Sequence, residues 1–239
     1  MKPVWWSGVE DQIDSLMQDY VVKIGQKLEV TPANIVLRKN PFLYRVRAIE
    51  GTDQLATMLV DAYLSSSEET IFGNTLEGIA IAICSHSKGG RKSGISNIDL
   101  EYDEGSTRTV IQIKSGPNWG NSSQHKSLLS SFTSASKILR QGSKKIDVRC
   151  VEGICYGKSK STDRGSHLRL IGDDFWFDIS GSAETPQAIM QMIGGHAGNG
   201  LYEARKKAEA DIVEYLEHHT VSRSNKIDWE RLLLLLFKG

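Results

Sequence analysis

The sequence predicts an α/β protein, and three stretches carry that prediction. Residues Gly94–Lys126, GISNIDLEYDEGSTRTVIQIKSGPNWGNSSQHK, read as strand, turn, strand, glycine-rich loop and the start of a helix. Ile146–Tyr156 alternates well enough for one or two further strands, with Gly153 as a bulge or bend. Val9–Leu28 and Glu203–His218 repeat their apolar residues at helical spacing, as expected of amphipathic helices packed on a core.

Taken in order, the first helix brings Val9, Ile13, Leu16, Met17, Tyr20, Val21, Ile24 and Leu28 to one side, with Trp5 and Trp6 before it as packing residues or an interface mark. Thr31–Ile49 holds Pro32, Asn40 and Pro41 and is expected to be irregular or briefly extended. Its Arg38, Lys39, Arg45 and Arg47 form a basic patch, either solvated or in contact with phosphate. Thr52 or Asp53 caps a helix to about Tyr63. A second helix then starts at a capping box of Ser66 and Glu69, with acids suited to the helix dipole. Around Glu77, Phe72, Leu76, Ile79, Ala80, Ile81 and Ile83 cover nearly every side, so this carboxylate is expected to be buried. A buried acid needs a cation or strong donors, so Glu77 is either a paired core acid or a metal ligand.

Ser85–Asn97 reads as a loop whose Lys88, Arg91 and Lys92 are either solvated or clamp phosphates. On the first strand of the hairpin Ile98, Leu100 and Tyr102 share one face, and Asp99 and Glu101 the other. On the second, Ile111 and Ile113 oppose Val110, Gln112 and Lys114, and Gly105 is the pivot between the strands. Pairing the apolar faces on one core brings Asp99, Gln112 and Lys114 together opposite it. An acid, an amide oxygen and a lysine so placed can hold a divalent cation and handle a water beside it.

Ser122 or Ser123 caps the helix that follows, which runs through Leu139 and ends at Gly142. Its N-terminus suits a phosphate, and Asn118, Asn121, Ser122, Gln124 and Lys126 could contact DNA there. Lys158–Arg169 is a polar, basic loop whose Arg164, His167 and Arg169 are a second candidate for DNA contact. FWFDISG is a strand or short buried segment, and Met190–Gly200 is broken by glycine. Asp228–Phe237 is a short, very apolar helix expected to dock into the core or a subunit interface.

The bulk properties bound the reading. At 239 residues the chain supports one sizeable core, or two small ones, and its formal net charge of +0 excludes a polyanion binder by bulk charge. The 3 cysteines, Cys84, Cys150 and Cys155, are spaced wrongly for zinc and suggest a reducing compartment, hence the cytoplasm. No signal-peptide core follows Met1, and Leu232–Phe237 is too short to span a bilayer, so no membrane partner is expected.

An acid, a hairpin and then x-x-Lys resembles the PD-(D/E)XK nuclease superfamily. More narrowly, RKNPFL, LSSSEETIFGNTLEG, NIDLEY, IQIKSGPNWGNSSQ and GICYGKSKSTDRG, spread over Leu37–Gly181, look like the PmeII family of type II restriction endonucleases. KSGPNWGNSSQ is the specific part of the match. The resemblance implies a restriction-endonuclease-like (PD-(D/E)XK) α/β fold, a central mixed sheet flanked by helices. It also implies a single nuclease domain over 1–239, with a helical part at 1–65, a catalytic core at 66–160 and a mixed, helical part at 161–239.

Under the resemblance Asp99 matches the metal-binding aspartate and Lys114 the catalytic lysine. Gln112 stands where the superfamily usually has Glu or Asp, and Glu77 matches the acid that many members carry on the preceding helix. The implied activity is Mg²⁺-dependent cleavage of double-stranded DNA at a short specific sequence, leaving a 5′-phosphate. Metal ligands would come from Asp99, Gln112, the Ile113 carbonyl and Glu77, and a palindromic site would call for a homodimer. The alternatives are a repair or structure-specific nuclease of the same superfamily, and a catalytically silent DNA-binding protein.

Overall fold

The hairpin read from the sequence is the middle of a six-stranded sheet in a computed structural model that describes residues 5–141, 146–196, 199–220 and 226–238. The strands are β1 (Arg91–Lys92), β2 (Leu100–Glu104), β3 (Thr107–Lys114), β4 (Asp147–Ile154), β5 (Thr162–Asp163) and β6 (Leu168–Ile171), in spatial order β1-β2-β3-β4-β6-β5. β1, β2 and β3 are antiparallel, β3, β4 and β6 run parallel, and β5 returns antiparallel on β6. The fold is therefore mixed α/β, as expected. Described helices are α1 (Trp6–Leu28), α2 (Pro32–Val36), α3 (Pro41–Val46), α4 (Thr52–Lys88), α5 (Ser122–Arg140), α6 (Asp173–Ser180), α7 (Thr185–His196), α8 (Asn199–Thr220) and α9 (Trp229–Lys238).

The chain forms two compact units, one of residues 1–18 and 73–196, the other of 19–72 and 197–239. In the first, Gly105 turns the β2–β3 hairpin with a left-handed φ of 60° and sets Leu100 opposite Ile111 and Tyr102 opposite Thr109. A parallel partner for β3 needs a crossover, which α5 provides. The stripe Leu128, Ser131, Phe132 and Ala135 of α5 is buried, and it shares a core with Val110 of β3 and Cys150 of β4. α6 covers the other face. Its Phe175 ring lies so close behind Gly153 that a Cβ there would sit 2.4 Å from Cε2. Ser87 of α4 donates to Ile179 O of α6 at 2.7 Å. On the same face Asp178 of α6 takes a forked ion pair from Arg149, at 2.6 and 3.1 Å, and the Tyr102 hydroxyl donates to it at 3.0 Å. In the second unit Tyr20 meets Phe72 edge-on and donates to Glu68 at 2.8 Å. Arg205 of α8 pairs with Asp61 of α4, and Arg45 of α3 lies 5.7 Å from the centroid of the Trp229 ring of α9.

Several local expectations are corrected. Thr31–Ile49 holds two short helices, because Pro32 and Pro41 open helices rather than break them and Asn40 Oδ1 accepts from Phe42 N at 3.0 Å. The break expected between Tyr63 and Ser66 is absent. α4 runs unbroken for 37 residues, no glycine or proline interrupts Thr52–Phe72, and the Thr70 hydroxyl bonds back to Ser66 O inside the helix. The loop expected at Ser85–Asn97 is shorter: Ser85–Lys88 end α4, the chain turns through Gly89 into β1, and 93–97 alone follow as a loop. Ile98 leaves the Leu100/Tyr102 face and packs with Val110 and α5, since Asn97 turns the chain with φ 60° just before β2.

β4 is a single strand, and Gly153 stays in register opposite Ile113 and Leu170; it is a glycine to admit Phe175, not a bulge. Within Lys158–Arg169 lies the β5–β6 hairpin, so Arg169 is a strand residue. FWFDISG is helical, opened at Gly172, which has a left-handed φ, and closed by Gly181 in the left-handed conformation. α7 continues to His196 and α8 begins at Asn199; Ala197 and Gly198 of the expected break, like the expected helix end at Gly142, lie outside the described residues. Trp5 and Trp6 are buried packing residues.

Candidate active site

Asp99 sits one residue before β2, its amide donating to Ile111 O at 2.9 Å. Continuing the β2–β3 register places it opposite Gln112. Its Oδ2 accepts from Ile113 N at 2.6 Å. In a strand the N–H and C=O of one residue project to the same side, so the Ile113 carbonyl also faces the Asp99 side, past the end of the β2 ladder. Gln112 donates from Nε2 to Asn97 O at 2.7 Å, which leaves its oxygen as the end not used by that bond. Burial pushes the Asp99 carboxyl above its ordinary range, against the opposing pull of the Ile113 amide and of Lys114 and Lys92.

Glu77 belongs to the same electrostatic cluster. Burial, and then the charge of Asp99, push its carboxyl upward, while Lys92 and Lys114 pull it down. The expected burial of Glu77 is only partial: its side chain is 26% exposed and lies 3.7 Å from Lys92 Nζ. α4 passes the end of β3 here, with the Gly73 Cα side facing Ser115. Two carboxylates, the charge of one raising the proton affinity of the other, beside an amide oxygen and a main-chain carbonyl are oxygen donors of the kind a hard divalent cation takes. Among the described residues no group of three or more His, Cys, Asp or Glu side chains is placed to hold a metal, so such a site would rest on two acids and neutral oxygens.

Lys114 Nζ stands 4.6 Å from the centroid of the Trp119 ring. Trp119 was not picked out by local sequence reasoning, and neither was Glu152, a buried acid that pairs in register with Gln112 from β4. Trp119 Nε1 donates to Glu152 Oε1 at 2.7 Å. The signal that could have found Glu152 is an acid in the middle of an apolar strand, next to Val151 and Ile154.

The DNA-contact candidates divide. Lys88 pairs with Glu104 at 2.7 Å, Arg91 with Glu101 at 2.6 Å, and Lys92 with Glu77, so each already has a carboxylate. The α5 cap is Asn121, not Ser122 or Ser123: its Oδ1 accepts from Ser123 N and Gln124 N, and Gln124 Oε1 accepts from Asn121 N. Those amides are therefore bonded within the protein, not open to a phosphate. Asn118, Ser122 and Lys126 are exposed. His167 and Arg169 turn inward to Glu152, at 3.3 and 3.5 Å, whereas Arg164 is exposed. No helix among the described residues is long and apolar enough to cross a membrane.

No curated protein matches this chain. The family model described as Type II restriction endonuclease EcoO109I matches residues 7–200, which include Glu77, Asp99, Gln112, Lys114 and the loop after it. This agrees with the resemblance at the level of type II restriction endonucleases and fits the PD-(D/E)XK-like fold, but it names a family other than PmeII. The chain belongs to the family of the type II restriction endonuclease EcoO109I.

Proposed function

We propose that this protein hydrolyses phosphodiester bonds in double-stranded DNA at a short specific sequence, with Mg²⁺ as the metal and with Asp99, Glu77, Gln112 and Lys114 at the reacting centre. The observation that carries the reading is the cluster at the end of β3, where Glu77, Asp99 and Lys114 lie within electrostatic reach of one another. The carboxylates of Asp99 and Glu77, with the Gln112 oxygen and the Ile113 carbonyl, would hold the ion. Bound Mg²⁺ would neutralise charge on the attacked phosphate and acidify a water. Lys114 orients the attacking water or stabilises the charge that grows on the phosphoryl oxygens. Exposed Asn118, Ser122 and Lys126, beside the loop after β3, lie where the backbone of a duplex could be met. A palindromic recognition sequence would be served by a homodimer, each copy cutting one strand.

The test is digestion of a phage DNA of known sequence with and without Mg²⁺, followed by sequencing of the ends. A fixed sequence at every end supports the reading. Cutting at branches or lesions instead would make the protein a structure-specific nuclease. Tight duplex binding without any cutting would make it a silent binder, the outcome that Gln112 in place of an acid favours.

A further inference from the structure

We propose that Glu152 and Trp119 are positioning residues for Lys114: the buried carboxylate fixes the indole, and the indole face holds the ammonium at the reacting centre. The inference rests on the hydrolytic reading above and adds to it the part that aims the lysine. The loop Ser115–Gly120 carries Trp119 away from any regular element, yet three contacts hold its ring. It packs on the core of Val110, Leu128 and Phe132. The His125 ring lies 4.5 Å from it, centroid to centroid. Its N–H donates to Glu152. The same loop is tied a second time where Arg169 Nη2 donates to Pro117 O at 3.3 Å.

Glu152 is 3% exposed, and its other oxygen faces His167. A buried carboxylate on a central strand is costly where an apolar side chain would pack as well. What it supplies is a fixed acceptor for an indole N–H, with Arg169 and His167 alongside it. Lys114 is a flexible four-carbon chain next to a cluster in which Glu77 and Asp99 would each draw its ammonium. An aromatic face is a directional alternative to those carboxylates. It keeps the ammonium near both acids without letting it take the place of a cation between them. Neither Trp119 nor Glu152 touches the reacting atoms in this scheme.

The experiment uses the full-length chain and the variants Trp119→Phe, Trp119→Leu and Glu152→Gln, with two readouts. The first, free of any substrate, is the ¹³C-lysine NMR spectrum, in which the Lys114 ε-methylene signal is assigned by its disappearance in Lys114→Arg. The ring current of the indole should hold this signal upfield in the wild type. It should return to an ordinary position in Trp119→Leu and fall between in Trp119→Phe, which keeps a ring but loses the bond to Glu152. Glu152→Gln keeps an acceptor oxygen and should leave the signal near its wild-type place. The second readout is cleavage of a duplex with Mg²⁺: Trp119→Leu should lose about tenfold or more in kcat while DNA affinity changes less than about twofold. A Lys114 signal unmoved in Trp119→Leu, or a Trp119→Phe protein identical to wild type in both readouts, would overturn the inference. A signal that moves as described in a protein that cuts no DNA would uphold the positioning and sink the hydrolytic reading instead. Wild-type cutting by Trp119→Leu with an unmoved signal would do the reverse.

Discussion

Gly153→Ala is the most telling perturbation of the scaffold under the site, because it sets two opposing effects of known size against each other. Alanine removes freedom from the unfolded chain, and at a position with an ordinary φ that alone stabilises a protein by about 0.4–1 kcal/mol. Gly153 has no left-handed φ, so this gain applies in full. Against it stands the Phe175 ring, fully buried, with Cε2 and Cδ2 at 2.4 and 2.5 Å from the new Cβ. These are atoms of a packed ring, not the far end of a flexible chain, so the ring or β4 must shift. Overpacking of this kind costs roughly 1–3 kcal/mol, and the net effect should be a loss of about 1–2 kcal/mol. For a chain of this size that corresponds to a melting temperature lower by roughly 2–8 °C. Urea denaturation of Gly153→Ala, Phe175→Leu and the double variant would close a cycle. The double variant should recover most of the loss in the first, since leucine vacates the space the new methyl needs. A Gly153→Ala protein as stable as wild type, or a strictly additive cycle, would refute the reasoning.

Further outcomes follow from the site and its surroundings. Asp99→Ala and Lys114→Ala should each abolish DNA cleavage while retaining duplex binding in a mobility-shift assay, and cleavage by either purified variant would remove that residue from the reacting centre. Adding Mg²⁺ should raise the melting temperature of wild type and not of Asp99→Asn, because a cation that binds only the folded state stabilises it in proportion to its affinity. Burial pushes the thiols of Cys84 and Cys155 up to about 12, so at pH 8 a disulfide reagent should leave both untouched until the protein is unfolded. Arg108 holds the Asp103 carboxyl below its usual range, so this pair stabilises the fold above the ordinary aspartate pKa and loses that effect as pH falls through the lowered value. With Asp103 45% exposed, Arg108→Ala should cost no more than about 0.5 kcal/mol at pH 7, and less as acid protonates Asp103.

Where information was local, the sequence was legible. The apolar positions of α1, the β2–β3 hairpin with Gly105 at its turn, and the x-x-Lys spacing that brings Asp99 near Lys114 all follow from periods of 3.6 and 2. Serine misled the reading of α4: Ser66 resembles a cap in isolation, but within a helix continued on both sides by apolar residues it is an interior position whose carbonyl accepts from the Thr70 hydroxyl one turn on. FWFDISG is ambiguous because a short apolar run has no period to read, and the glycines at its ends decided the outcome. His167 and Arg169 looked like exposed cations because the residue that draws them inward, Glu152, lies on another strand and meets them only once β4 and β6 pair. Trp119 was hidden for the same reason: Lys114 lies at the start of the loop that carries it, but Glu152, which holds its N–H, lies on β4.

The prior commitment of Lys88, Arg91 and Lys92 to Glu104, Glu101 and Glu77 bears on how such cations would meet a polyanion. A cation already matched to a carboxylate must exchange one anion for another, so contact frees fewer condensed ions from a duplex than a count of basic side chains suggests. These side chains would then grip an arbitrary stretch of duplex weakly and with a shallow dependence on ionic strength. Discrimination would fall to contacts formed only where shape and base edges agree, which favours scanning over trapping.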